Sequence, residues 1–124
     1  MQEGKRKIPV QYFRNLMAVA LADGIILPSE IDFFIAKAIE YGLTQDEVDD
    51  IIENANSLEF VPPSSQVDRI DHLIDIVSMS ITDGVIHEKE YALCLHITER
   101  LGLKKKDLDE AVQMAKMVMN SGMS

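Results

Sequence analysis

The sequence predicts an all-α fold: a compact multihelical single domain, residues 1–124, built from two related three-helix halves with pseudo-twofold symmetry. Three observations lead there. Apolar residues recur at helical spacing along the chain, no run alternates every second residue as a half-buried strand does, and a segment of the first half returns sixty residues later without a gap. A chain of 124 residues, 47% of them hydrophobic, can bury one core.

Val10, Phe13, Met17 and Leu21 form the stripe of a first helix that should end near Asp23-Gly24. Pro28 suits the first turn of a second helix, where its missing N–H would be unpaired anyway, and Ile31, Phe34, Ile35 and Ala38 supply that helix's buried side. Gly42 stops it. Thr44 to Glu47 reads TQDE, which has capping-box spacing, and Val48, Ile51, Ile52 and Ala55 make the apolar face of a third helix. The paired prolines of NSLEFVPPSSQ cannot continue it, so residues 57–66 read as a linker whose serines can cap the next helix. A fourth helix carries Ile70, Leu73, Ile74, Val77 and Ile81 toward Asp83-Gly84. A fifth uses Tyr91, Cys94, Leu95 and Leu101 and stops at Gly102, and a sixth uses Leu108, Ala111, Val112, Ala115 and Val118.

Residues 10–56 and 70–116 therefore read as two copies of one unit. Gly42-Leu43 returns as Gly102-Leu103, Asp49 as Asp109 and Ala55 as Ala115, turn residue matching turn residue and apolar face matching apolar face. The densest echo lies at the first joint of each half, where ADGIILPSE (Ala22 to Glu30) returns as TDGVIHEKE (Thr82 to Glu90), both containing Asp-Gly-x-Ile-x-x-x-Glu.

Two readings of this motif stand side by side. Acid, Gly, apolar residue and closing Glu match the second half of an EF-hand loop, which puts Asp23, Glu30, Asp83 and Glu90 forward as ligands for a divalent cation. The first half of such a loop is missing, because Val19, Leu21, Met79 and Ile81 occupy the places of the leading acids. Two carboxylates per copy fall short of the oxygens Ca²⁺ takes, so the opposite copy or water would supply the rest. The other reading is structural: Asp-Gly ends one helix, Leu27 or His87 opens the next, and the Glu three residues on accepts its free N–H groups. Convergence of the four carboxylates would raise their pKa values and call for a cation, whereas separated ones need only capping.

The two joints, within LMAVALADGIILPSEIDFF and VSMSITDGVIHEKEYALCL, together with the Gly-Leu that ends the following helix, resemble the TerB-like domain family associated with tellurite resistance. The resemblance covers nearly the whole chain. It implies a compact helical domain of two related halves, non-enzymatic, working in bacterial stress or tellurite-resistance systems through contacts with other proteins. It also implies a divalent cation, Ca²⁺, Mg²⁺ or Mn²⁺, on Asp23, Glu30, Asp83 and Glu90, with no other cofactor.

Composition excludes several classes. A net charge of −9 argues against general nucleic-acid binding and against docking on anionic membranes, and no segment has the roughly 18 apolar residues of a span. A cytoplasmic protein is expected, the N-terminus lacking the apolar run of a signal peptide. The single cysteine, Cys94, falls in an apolar pattern and reads as core. His72, His87 and His96 lack zinc-site spacing and read as surface or helix-cap residues, while Asp71 and Asp75 read as a solvated face. Met114, Met117, Met119 and Met123 read as core or gap filler ahead of an adaptable binding surface, and Lys104 to Lys106 as solvated. No glycine-rich phosphate loop, nucleophile elbow or Glu-x-x-His pair is present, so no catalytic residue is expected. Partner identity and oligomeric state stay open at this level.

Overall fold

The structure, a computed structural model, describes residues 7–24, 27, 30–82 and 84–121, and for residues 56, 82 and 118–121 the backbone alone. The described chain runs through α1 (Val10–Ala22), α2 (Ile31–Glu40), α3 (Gln45–Glu53), α4 (Gln66–Ser80), α5 (Glu88–Arg100) and α6 (Lys105–Ser121). A 3₁₀ turn, Ala55–Ser57, follows α3 and takes in Ala55, the expected last apolar residue of that helix. The fold is all-helical, as the periodicity predicts.

Local chemistry sets most boundaries. Thr44 Oγ1 accepts the Glu47 N–H at 3.1 Å while Glu47 Oε1 accepts the Thr44 N–H at 2.9 Å, closing the expected capping box at α3. Ser65 caps α4 by accepting the Asp68 N–H. Gly42 takes φ +102°, and a Cβ there would lie 3.0 Å from the Lys7 Cα. The turn is therefore closed to side chains both by backbone geometry and by the incoming chain, whose Ile8 N–H donates to the Tyr41 carbonyl at 3.0 Å.

One joint is built differently from expectation. Ile81 does not prolong α4: it turns extended (φ −82°, ψ 130°) and opens β1 (Ile81–Thr82), which pairs antiparallel with β2 (Val85–Ile86) in the register Ile81↔Ile86, Thr82↔Val85. The strands are joined by a short turn in which Gly84 supplies the positive φ of +78°. Ile81 is still buried, now under a strand rather than a helix.

The core centres on α1 and α4, which pack against each other, with α5 against both, α2 and α6 against α4, and α3 on α2. Phe13, Leu16, Met17 and Val19 of α1 and Leu73, Ile76, Val77 and Met79 of α4 are all within 1% of full burial. Each such side chain contributes about 1.5–3 kcal/mol by leaving water. Because both helices have neighbours on several sides, they bury polar residues too: Asn15 on α1, and His72, Asp75 and Ser80 on α4. This corrects the reading of His72 as a surface or cap residue and of Asp75 as solvated; Asp71 is half-buried. The linker is fastened by Arg69, whose Nε donates to the Pro63 carbonyl at 2.7 Å and whose Nη1 donates to the Leu101 carbonyl at 2.8 Å. No helix among the described residues is long and apolar enough to cross a membrane.

Candidate functional site at the acidic joints

The first joint begins where α1 ends. Asp23 follows the last turn of that helix, its N–H donating to the Val19 carbonyl at 3.0 Å. Its carboxylate turns toward α5: Oδ2 lies 2.7 Å from His96 Nδ1, and Oδ1 accepts from an Arg100 Nη2 at 3.4 Å. Glu30, at the start of α2, does two things at once. Its Oε1 accepts the Leu27 N–H at 2.8 Å, the capping role expected of that position, and both carboxylate oxygens accept from Lys89 Nζ, at 3.1 and 2.9 Å. Lys89 and the Leu27 N–H together hold the Glu30 carboxyl below its ordinary pKa, the lysine being the larger cause.

Both first-half acids are therefore linked to cations of α5, a helix of the second half. Lys89 and His96 are seven residues apart on that helix, about 10 Å along its axis, so the two carboxylates grip it at separate points. The partners Lys89, His96 and Arg100 were not picked out by sequence reasoning. Their spacing of seven and four residues does place them along one side of a helix, which is the signal that could have found them.

The second joint is arranged otherwise. Asp83 lies outside the described residues, as do Ile26 and Pro28 of the first joint. Glu90 sits half-buried in the first turn of α5 and has no hydrogen-bond partner among the described residues; its negative charge contributes to the raised pKa of Cys94. His87 precedes α5 as its cap residue without a side-chain capping bond and is exposed. Among the described residues no group of three or more His, Cys, Asp and Glu side chains is placed to hold a metal ion.

Other chemistry-bearing groups are committed to packing. Cys94 is fully buried, its Sγ 3.6 Å from Ser80 Oγ, and burial pushes the thiol up to about 12. Tyr41 is likewise raised to about 12, mainly by burial. On α6 the reading of the methionines as core is corrected for two of them: Met114 is 50% and Met117 67% exposed, while the side chains of Met119 and Met123 lie outside the described ones. Beside Met114 an open hollow of about 430 Å³ is lined by Asp109, Glu110 and Gln113. Lys104 to Lys106 are exposed as expected, with Lys105 paired to Asp109 at 3.2 Å.

A polar cluster centred on the fully buried Asn15 and His72 joins α1, α4 and the linker. Asn15 Oδ1 accepts the Val61 N–H at 2.8 Å and its Nδ2 donates to the Val61 carbonyl at 2.9 Å, so the amide pairs with both backbone groups of one linker residue. Gln11 Nε2 also donates to Asn15 Oδ1, at 3.0 Å. The remaining Nδ2 hydrogen faces His72 Nε2 at 2.9 Å. His72 stacks on Tyr12 with ring centroids 4.1 Å apart and planes within 10°, and Phe60 lies on it at 6.3 Å. Tyr12 and His72 are themselves sixty positions apart, the offset of the repeat.

No protein-family model matches the sequence, and no curated protein or solved structure matches it either.

Proposed function

We propose that this chain is a non-enzymatic, TerB-like helical module that works in the cytoplasm by contacting other proteins, in a bacterial stress or tellurite-resistance setting, and that its acidic joints serve first as links between its two halves. The observation that carries the structural role of the joints is the cross-half pairing of Glu30 with Lys89 and of Asp23 with His96 and Arg100. A protein-contact role is supported by the exposed Met114 and Met117, since unbranched, polarizable side chains adapt to varied apolar partners. The TerB-like reading itself rests on the repeated joints and the helices around them.

The links are tested by a double-mutant cycle of Glu30→Gln with Lys89→Ala, followed by thermal melts at low and high salt. A coupling that weakens with salt is expected, and zero coupling at both ionic strengths removes the linking role. Asp23→Asn combined with Asp83→Asn should lower stability yet leave capture of partner proteins intact; lost capture with an intact fold would make the acids part of the contact surface.

Cation binding on Asp23, Glu30, Asp83 and Glu90 is the second reading, and the observation favouring it is the motif's return with both acids in place. A metal that uses Glu30 has to displace Lys89. Titration calorimetry with Ca²⁺, Mg²⁺ and Mn²⁺ should then show tighter binding to Lys89→Ala than to the unaltered chain. No heat from either protein at millimolar metal rejects the cation and leaves the linking role standing.

A further inference from the structure

The cluster between α1, α4 and the linker has a fixed hydrogen-bond direction. Val61 presents one N–H and one carbonyl, and only one orientation of the Asn15 amide satisfies both. In that orientation the atom facing His72 Nε2 is an amide nitrogen with a hydrogen to donate. Nε2 is therefore the acceptor, and the single proton of the neutral ring sits on Nδ1, which is buried without a hydrogen-bond partner among the described residues. A second ring proton would set two donors against each other across 2.9 Å. Asn15 could relieve this only by turning, which breaks both bonds to Val61.

We propose that Asn15 and His72 form a proton-operated latch that holds residues 58–62 against α1 while His72 is neutral and releases them when the ring is protonated. The segment is bounded by fixed points, the 3₁₀ turn Ala55–Ser57 on one side and Pro63, held by Arg69, on the other. Between them Leu58 and Phe60 pack on the core, so release uncovers apolar surface along α1 and α4. It also takes Phe60 from under Arg100, whose guanidinium lies 6.0 Å from that ring and bonds to Asp23, so the linker and the first acidic joint share a residue.

The groups around the ring leave protonation uphill. Tyr12 stacks on it from α1 with its hydroxyl donating to the Asp68 carbonyl. From the linker comes the Phe60 ring, with Arg100 of α5 beyond it adding positive charge. Asp71, on His72's own helix, is the acid that favours the charged ring, and Asp75 is buried one turn further along. Burial is the largest influence: it outweighs both the pull of His72's own backbone and the charge of Asp71, and lowers the His72 pKa to about 4.

The test is a titration of the full chain from pH 7 to 3.5 by NMR. The imidazole nitrogens of His72 should report the Nδ1–H tautomer at pH 7. As the ring titrates, the Phe60 and Val61 amides should exchange at least tenfold faster than their intrinsic pH dependence predicts, with α4 and α6 amides still protected. Asn15→Asp replaces the opposing donor by an acceptor, so the His72 midpoint should rise by a pH unit or more. His72→Phe keeps a ring between Tyr12 and Phe60 and should abolish the acid release; if it does not fold, the titration of the unaltered chain decides. An Nε2–H tautomer at pH 7, unchanged exchange at Val61 through the titration, or loss of protection throughout the chain at the same pH each overturns the latch.

Discussion

Replacing Asn15 by alanine removes the one side chain that ties the linker to the core by both of a residue's backbone groups. Asn15 is fully buried and serves Val61 N–H, Val61 C=O and His72 Nε2 at 2.8–2.9 Å. Val61 is half exposed, so water can replace its two lost partners at small cost. His72 is fully buried, and its Nε2 loses its donor; an unsatisfied buried polar atom costs about 1–3 kcal/mol. With the weakened linker packing added, the loss should be about 3 kcal/mol. Unfolding entropies near 2.1 cal/mol/K per residue make each kcal/mol worth about 4 °C in a chain of 124 residues, so Tm should fall by roughly 10 °C. Differential scanning calorimetry at pH 7 measures it, with urea midpoints as a second determination. A fall of less than about 4 °C in Asn15→Ala would refute the claim that this amide anchors the linker.

The glycines at two turns should separate backbone strain from crowding. Gly84 has φ +78° and open space where a Cβ would go, so Gly84→Ala should cost only the left-handed penalty of about 1–2 kcal/mol. Gly42→Ala adds a Cβ 3.0 Å from the Lys7 backbone and should cost more, measured as a lower urea midpoint than that of Gly84→Ala; the reverse order would contradict the packing of residue 7 on this turn. Stability should also depend on pH through His72. Its folded pKa, about 4, lies below the value of 6.5 it has when unperturbed, so the unfolded chain binds the proton more readily between those two values. Its contribution is fully present above about pH 6.5, falls as the pH drops toward 4, and amounts to about 3 kcal/mol across that window at 1.36 kcal/mol per unit. Urea midpoints of the unaltered chain and of His72→Phe, compared at pH 7 and pH 4.5, should diverge in that direction.

How much of this was legible in the sequence differs from element to element for physical reasons. The start of α3 was legible because its determinants are local: Thr44 and Glu47 cap each other whatever surrounds them. The hairpin after α4 was not, because Asp-Gly serves equally as a helix end and as a hairpin tip, and Ile81 is apolar in either setting. What decides is the extended ψ of Ile81, set by β2 pairing with it. His72 and Asp75 were misread for a related reason. A stripe of Ile70, Leu73, Ile74 and Val77 suggests one buried face, but α4 packs on α1, α2, α5 and α6 together, and little of its surface is left for solvent.

The acidic joints show the limit most clearly. Glu30 caps the Leu27 N–H, as a structural joint demands, and the same carboxylate accepts from Lys89 across the repeat. A residue that caps, a residue that pairs with lysine and a residue that binds a divalent cation are all best served by glutamate, so residue type at this position carries no information about which is meant. The partner does. Lys89 stands at the place of Ser29 in the other copy, Arg100 at the place of Glu40 and His96 at the place of Ala36, so the basic side chains that meet Asp23 and Glu30 have no counterparts in the first half. An identical motif is thereby placed in two different electrostatic settings. In the first joint the acids face the cations of α5, and in the second Glu90 faces none among the described residues. The repeat preserved the acids and varied what answers them, which is why Lys89→Ala, rather than another change to the acids themselves, separates a link from a cation site.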